Sequence, residues 1–232
     1  MMARIVSDWA VAAESWEDLD TPLFPAESAL LTRAGDRRRR EFTTVRALAR
    51  QALARIDVAP APILPGPKGQ PRWAPGVRGS MTHCAGYRAA VVARSRDGLG
   101  LGIDAEPNGP LSKDALAAIT TGDEAAHIAA LRDRAPQVHW DRLLFSAKEA
   151  VYKTWFPLTG ARLGFRDAHI TFHPGTGRFV ARLSRSFPDV PGAGRLRRLT
   201  GRWAASDTLV VTAICLPAAR PAGRSQHKEN VQ

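Results

Sequence analysis

Apolar residues recur at helical spacing over two long stretches of the chain. Positions three and four residues apart are apolar from 36 to 56 and again from about 138 to 155. Such spacing gathers apolar side chains on one face, so it predicts two long amphipathic helices. The same pattern over fewer turns predicts shorter helices at 112–119 and 123–134.

Uninterrupted apolar runs and two-residue alternation predict the strands. The predicted strands are 87–93, 99–104, 169–173, 178–183, 196–204 and 209–216. The last four form two pairs, each joined by a short turn sequence, which is typical of β-hairpins. Residues 1–34 show no such period and are expected to be irregular, and the polar residues 217–232 are expected to be disordered.

This order of elements favours an α+β protein over a parallel sheet, because strands and helices do not alternate regularly. Each half of the chain offers one long helix and a small set of antiparallel strands. We therefore expect two similar subdomains, residues 1–105 and 106–216, followed by a tail at 217–232.

The chain of 232 residues carries 33 basic and 22 acidic side chains, a net charge of +11. Arginine accounts for 28 of the basic residues and lysine for five, a bias that a GC-rich genome produces through its codons. Cys84 and Cys215 are far apart and outside any Cys-x-x-Cys setting. This argues against a disulfide framework, a zinc cluster and haem attachment, and favours a reducing compartment. With no signal-peptide pattern and no stretch of ~18 apolar residues, the expected location is the cytoplasm.

Two carboxylates stand at the end of a predicted strand. Asp104 and Glu106 are two residues apart, so a strand would project both from the same face. Neighbouring carboxylates repel each other unless a cation lies between them, and the candidates are an arginine or a hard ion such as Mg²⁺. A solvated strand end is the alternative interpretation.

The second long helix carries Lys148, Glu149 and Lys153. The i,i+4 spacing of Glu149 and Lys153 is also that of an ordinary surface ion pair. If the helix crosses behind the strand of Asp104, Glu149 becomes a third carboxylate of one site. The two lysines then become hydrogen-bond donors to a phosphate. That arrangement would be a metal and phosphate site.

Other basic residues are candidates for the same site. In the first long helix, Arg46 lies close to the buried face, where a charge needs an anionic partner unless it snorkels to solvent. His83 follows Ser80 and Thr82 in a predicted loop, and two hydroxyls beside an imidazole suit a phosphate monoester. Walker A, dinucleotide-binding, zinc-protease and serine-hydrolase motifs are absent from the sequence.

Three blocks, in this order and spacing, resemble the signature of the Sfp/EntD-type 4′-phosphopantetheinyl transferases: GSMTH at 79–83, GIDAE at 102–106 and FSAKEAVYK at 145–153. Further runs resemble the actinobacterial branch that serves polyketide, nonribosomal peptide and lipid synthases. Enzymes of this family move 4′-phosphopantetheine from coenzyme A to a serine of a carrier protein and release adenosine 3′,5′-bisphosphate. The resemblance implies the α+β fold of that family, with two pseudo-symmetric subdomains, in a monomer.

The resemblance also implies roles for individual residues. Asp104, Glu106 and Glu149 match the positions that bind Mg²⁺, with Mn²⁺ as an alternative ion. Glu149 matches the general base for the carrier serine, Lys153 can neutralise charge on the phosphoryl group, and Asp104 is counted with them as catalytic. The residues that match coenzyme A-binding positions are Arg38, Arg46, Lys68, Thr82, His83 and Lys148.

The implied partners are coenzyme A and acyl and peptidyl carrier proteins, without nucleic acid or membrane. Two other interpretations stay open. Arginines at 37–40 and at 195, 197 and 198 would suit a nucleic-acid-binding module, although aromatic residues are not interleaved with them. The second is a related scaffold that binds coenzyme A without turnover.

Overall fold

The computed structural model describes residues 1–184 and 196–218, and these contain five α-helices and eight strands. The helices are α1 (Pro25–Ser28), α2 (Asp36–Ala54), α3 (Lys113–Ile119), α4 (Glu124–Arg134) and α5 (Trp140–Thr159). The strands are β1 (Val11–Ser15), β2 (Val77–Cys84), β3 (Tyr87–Arg94), β4 (Gly98–Pro107), β5 (Ala168–His173), β6 (Arg178–Leu183), β7 (Arg198–Ala205) and β8 (Leu209–Pro217).

The strands form two antiparallel sheets, each packed against one long helix. The first sheet has the order β1-β3-β2 and the second has the order β4-β8-β7-β6-β5. Helix α2 packs on the first sheet, where Leu48 and Leu53 lie in one cluster with Val92. Helix α5 packs on the second, with Trp140 almost fully enclosed. The predicted α+β architecture is confirmed.

The two sheets meet where β2 lies beside β4, and side-chain hydroxyls join them. Ser80 Oγ accepts a hydrogen bond from the backbone N–H of Ile103 at 3.1 Å, and Thr82 Oγ1 accepts one from Ala105 at 3.1 Å. Thr82 also donates to the Asp104 carboxylate at 3.2 Å. These hydroxyls satisfy buried amides of β4 that would otherwise cost free energy.

Strand β2 corrects the expectation of a loop at 80–83. Its buried positions include Ser80, Thr82 and Cys84. Apolar alternation does not reveal this strand, because the face that meets β4 carries the hydroxyls that the junction needs.

The first 34 residues are also more regular than expected. Strand β1 pairs with β3 over its whole length, and the short helix α1 follows it. All five residues of β1 are half-buried, so the two faces of the strand show no contrast that a sequence pattern would report.

Helix α5 continues past Pro157, although the sequence analysis ends it at Trp155. A proline in the last turn removes a single backbone donor, which costs much less than a proline in mid-helix. The helix stops instead at Gly160, which has φ +65° and donates its N–H to Phe156 at 2.8 Å. A left-handed glycine is a common helix terminus.

The predicted boundary between residues 105 and 106 falls inside β4, which pairs with β8 of the second sheet along its length. The predicted tail begins at the last residue of β8, and residues 219–232 lie outside the part of the chain that the structure describes.

Helix α5 lies very close to β4 because residue 102 is a glycine. A Cβ built on Gly102 would overlap the carbonyl oxygen of Ala150 and the hydroxyl of Thr154. Two buried hydroxyls also pin α5 to β8, with Ser146 Oγ 2.9 Å from Thr212 Oγ1. These contacts place the middle of α5 beside the end of β4.

Strand β5 is an edge of the second sheet, and α4 covers it with polar side chains. Glu124 Oε1 accepts a hydrogen bond from Ile170 N–H at 2.6 Å, and His127 Nε2 accepts one from Phe172 N–H at 3.1 Å. These bonds occupy backbone donors that an open edge would offer to another chain.

The variant Gly102→Ala should be less stable than the parent by about 1–3 kcal/mol, because the added methyl group forces α5 away from β4. In a chain of this size the melting temperature should fall by about 5 °C, measured by circular dichroism. Gly175→Ala is the matched control, since a Cβ there has nothing within 4 Å. Equal melting temperatures for the two variants would contradict the close packing.

Candidate active site

A cleft of about 560 Å³ opens over the junction of the two sheets. Helix α2, the loop at 68–71 and β2 line one side, and β4 and α5 line the other. Nine of the ten residues proposed from the sequence line it: Arg38, Arg46, Lys68, Thr82, His83, Asp104, Glu106, Glu149 and Lys153. The fold therefore gathers side chains from both halves of the chain.

Asp104 lies deep in the cleft and is only 4% exposed. Its Oδ1 accepts hydrogen bonds from Lys153 Nζ at 2.7 Å and from Thr82 Oγ1 at 3.2 Å. Its Oδ2 is buried and has no hydrogen-bond partner among the described residues. The ammonium group of Lys153 thus pairs across the cleft with β4, which is not the surface pair with Glu149 that the helical spacing allowed.

Glu106 is paired with Arg142 of α5. Arg142 Nη1 donates to Glu106 Oε2 at 3.2 Å, and the same guanidinium donates to two carbonyls of the loop after β4. Burial and the charge of Asp104 raise the pKa of Glu106 to about 7, and the nearby cations offset this only in part. The sequence predicts either an arginine or a hard metal ion beside these two carboxylates. Arg142 is such an arginine, and it pairs with Glu106.

Glu149 projects from α5 toward the same carboxylates and also lines a neighbouring pocket of about 230 Å³. Burial raises the pKa of Glu149, Lys153 lowers it and Asp104 raises it, and the net shift is upward. A carboxylate with a raised pKa is a better proton acceptor near neutral pH.

The acidic side of the cleft fits a hard cation by its chemistry, although not as a finished cage. In the described ranges, no three His, Cys, Asp or Glu side chains converge on one point where a metal ion could bind. The unpartnered oxygen of Asp104 and the raised pKa values of Glu106 and Glu149 nevertheless mark uncompensated negative charge. Mg²⁺ needs only one or two protein carboxylates when substrate phosphates and waters complete its shell. The assignment of these residues to a metal stays a prediction.

The opposite side of the cleft is basic. Arg38 Nη1 lies 3.0 Å from His83 Nε2, and Glu41 Oε2 lies 3.4 Å from His83 Nδ1. Burial lowers the pKa of His83, Glu41 raises it, and the surrounding cations lower it, with a net downward shift. Lys68 stands exposed on the loop that closes this side.

Arg46 is both a lining residue and a buried one, being 7% exposed. Its Nε donates to the carbonyl of Ile63 at 3.1 Å and lies 3.6 Å from Glu27, and its guanidinium stacks on the ring of Phe42. Burial lowers the pKa of Arg46 to about 10. The sequence interpretation that this charge has an anionic partner therefore holds, and snorkelling does not.

Lys148 is the one predicted residue that the structure does not bring into the cleft. Its ammonium is buried and donates to Glu124 Oε2 at 2.8 Å and to the carbonyls of Phe165 and Ala168 at 2.9 and 2.8 Å. All three of its donors are satisfied, so it has none left for a phosphate. The expectation that Lys148 contacts coenzyme A is corrected to a structural ion pair.

Several residues around the cleft escaped the sequence analysis. Glu27 is fully buried and accepts two hydrogen bonds from Arg50 and one from Ile63 N–H, and these partners are 23 and 36 residues away in the chain. No local pattern can report such contacts. Glu41 carried a usable signal, since it stands four residues after Arg37 and pairs with it at 2.9 Å.

Two family models match most of the chain. The 4′-phosphopantetheinyl transferase N-terminal domain matches residues 26–93, and the 4′-phosphopantetheinyl transferase superfamily matches residues 100–197. The chain belongs to the 4′-phosphopantetheinyl transferases. The resemblance seen in the three sequence blocks is confirmed, and with it the assignment of the chain as a transferase that carries phosphopantetheine from coenzyme A to carrier proteins.

Curated relatives support the same assignment. The 4′-phosphopantetheinyl transferase Svp of Streptomyces mobaraensis is 50% identical over 230 residues, covering 97% of this chain and 92% of its own. The transferase PptT of Mycobacterium tuberculosis is 50% identical over 84% of this chain and 86% of its own. Enterobactin synthase component D of Salmonella typhimurium is 32% identical over 68% of this chain and 65% of its own. Nothing in these comparisons supports a nucleic-acid-binding module.

None of the helices in residues 1–184 and 196–218 is long and apolar enough to cross a membrane.

Replacing Lys148 by methionine should destabilise the protein by ~3–5 kcal/mol, because it leaves the Glu124 carboxylate charged and buried. The melting temperature should fall by about 10 °C, whereas Lys113→Met, at an exposed position, should change it little. The double variant Lys148→Met/Glu124→Gln should recover part of the loss. A double variant less stable than Lys148→Met would contradict the ion-pair assignment.

Glu106 should make the metal-free protein less stable as pH rises from 4.5 to 7. The unfolded carboxyl ionises near 4.5 and the folded one near 7, so the folded state binds more protons in this window and loses stability as they leave. Glu106→Gln should therefore melt several degrees above the parent at pH 8 with a chelator present, and level with it near pH 4. The same difference at both pH values would show that charge is not the cause.

Proposed function

We propose that this chain transfers 4′-phosphopantetheine to acyl and peptidyl carrier proteins in a Mg²⁺-dependent reaction at the cleft between the sheets. The observation that carries this proposal is the composition of the cleft, in which three carboxylates and Lys153 face a wall of cationic side chains. Coenzyme A carries three phosphate groups, so it needs both a cationic wall and a place where a metal ion can meet its diphosphate.

The cationic wall supplies the binding of coenzyme A. Arg38, Arg46, Lys68 and His83 come from three separate segments, so they can contact different phosphate groups of one ligand. Arginine binds a phosphate in a bidentate manner, and the stacking of Arg46 on Phe42 fixes the plane of its guanidinium. Thr82 contributes differently from the others, because its hydroxyl is already engaged with β4.

The carboxylates supply the metal site and the base. Asp104, Glu106 and Glu149 would hold Mg²⁺, and the charge of that ion would stabilise negative phosphate oxygens. Glu149 accepts the proton of the carrier serine, and its raised pKa suits this role. As the serine oxygen bonds to the phosphorus that bears pantetheine, the bond from that phosphorus to the bridging oxygen breaks, and adenosine 3′,5′-bisphosphate leaves.

Lys153 is placed to follow the charge during the transfer. Its ammonium group pairs with Asp104 and remains 28% exposed to the cleft. A flexible ammonium can lean from a carboxylate toward phosphoryl oxygens as their negative charge grows, which stabilises the transition state more than the bound substrate.

Mass spectrometry of an apo carrier protein tests the function directly. Incubation with the enzyme, coenzyme A and Mg²⁺ should increase the carrier mass by one phosphopantetheine group, and a chelator should abolish the change. An unmodified carrier in the presence of tightly bound coenzyme A would favour a scaffold without turnover. Modification at full rate with the chelator present would remove the metal from the proposal.

Replacing Glu149 by glutamine should lower turnover at least ~10²-fold, because general base catalysis typically supplies ~10²–10⁴-fold. The shape of the side chain is kept, so the melting temperature should stay close to that of the parent. Glu17→Gln, which removes a carboxylate from an exposed position, is the matched control and should transfer at the parental rate. Parental turnover of Glu149→Gln would place the base elsewhere.

A further inference from the structure

Glu41 is a buried carboxylate at the basic side of the cleft that the proposed reaction does not use. It is 6% exposed, and its two oxygens have different partners. Oε1 accepts a hydrogen bond from Arg37 Nε at 2.9 Å, and Oε2 lies 3.4 Å from His83 Nδ1. A buried carboxylate is costly to keep unless its partners need its charge.

The contact with Arg38 defines the protonation of His83 in the free protein. A guanidinium only donates hydrogen bonds, so His83 Nε2, 3.0 Å from Arg38 Nη1, must accept. The ring proton then lies on Nδ1 and faces Glu41. In this arrangement the imidazole is neutral, and Glu41 serves only to orient it.

A phosphate group in the cleft reverses this requirement. Phosphate oxygens accept hydrogen bonds and do not donate them, so His83 can bind a phosphate through Nε2 only if that nitrogen carries a proton. Nδ1 already carries one, and the ring then becomes an imidazolium. Glu41 is in place as the counter-ion of that charged state.

The charges around His83 also favour a neutral ring in the free protein and a protonated ring when a phosphate is bound. Glu41 favours the imidazolium, whereas burial and the cations Arg38, Lys153 and Arg88 disfavour it, and the balance lowers the pKa of His83 in the free protein. A bound dianionic phosphate compensates those cations and adds negative charge beside the ring. The balance therefore shifts toward the imidazolium when the ligand binds.

We propose that Glu41 is a positioning residue that couples binding of the phosphate monoester of coenzyme A to the uptake of one solvent proton by His83 Nε2. In this step the lone pair of Nε2 forms a new N–H bond, the proton comes from a solvent or buffer acid that is left deprotonated, and the new N–H donates to the phosphate. The inference rests on the proposed function only in taking coenzyme A as the ligand. The monoester is the fitting group because the diphosphate belongs at the carboxylate side of the cleft.

Calorimetry in buffers of different ionisation enthalpy measures this proton uptake. At neutral pH the parent should take up a substantial fraction of a proton on binding coenzyme A and almost none on binding dephospho-coenzyme A, which lacks the monoester. Glu41→Gln keeps a hydrogen-bond acceptor for Nδ1 but loses the charge. It should abolish the uptake and weaken coenzyme A about tenfold, since an opposite charge at this distance shifts a pKa by ~1 unit or more.

The controls separate this role from a structural one. Glu41→Gln should bind dephospho-coenzyme A as the parent does and melt at a similar temperature, and Glu17→Gln should match the parent with both ligands. His83→Asn should abolish the uptake, and adding Glu41→Gln to it should weaken coenzyme A no further.

Three outcomes would overturn the inference. Proton uptake that persists in Glu41→Gln would show that the charge of Glu41 is not needed for it. Equal proton uptake with coenzyme A and dephospho-coenzyme A would show that the phosphate monoester does not cause the uptake. Binding of coenzyme A by the parent without uptake would reject the coupling while leaving the proposed function intact, whereas a parent that neither binds coenzyme A nor modifies a carrier protein would reject the function itself.

Discussion

The hydrogen bonds from the backbone of β4 to the hydroxyls of Ser80 and Thr82 are the contact on which the candidate active site depends. They join two sheets that share no strand, and they do so with side chains, which keeps the strands far enough apart for a cleft to open above them. Because Thr82 also binds Asp104, the bond that joins the sheets orients the central carboxylate as well. Substituting either hydroxyl would leave a buried amide unpaired at the centre of the molecule.

The acidic side of the cleft carries negative charge that the neighbouring cations do not fully compensate. Burial and the charge of Asp104 raise the pKa values of Glu106 and Glu149, and the nearby cations Lys153 and Arg142 offset this rise only in part. The protein tolerates this cost because the rest of the fold is well packed, with α5 held between the second sheet and helices α3 and α4. A site that is destabilised when empty gains more from a cation and a phosphate than a neutral one would, so the strain favours binding.

The parts of the structure that the sequence predicts are those whose contacts are apolar or local. The packing of helices α2 and α5 and of the hairpins of the second sheet follows from periodicity. The carboxylates of β4 and α5 are picked out by spacing and family resemblance, and their chemical role stays a prediction. Strand β2 gave no such signal because its buried face is polar. The direction of Lys148 could not be predicted either, because its partner Glu124 comes from another helix and only tertiary packing selects it.

Glu124 links two properties that are usually separate. One of its oxygens pairs with the buried ammonium of Lys148, which lies on α5 next to Glu149. The other accepts a hydrogen bond from the Ile170 N–H at the edge of the second sheet. Loss of this carboxylate therefore weakens the packing of α5 and at the same time frees a backbone donor of edge strand β5. Misplacement of α5 and association through the freed Ile170 amide are therefore two results of one substitution.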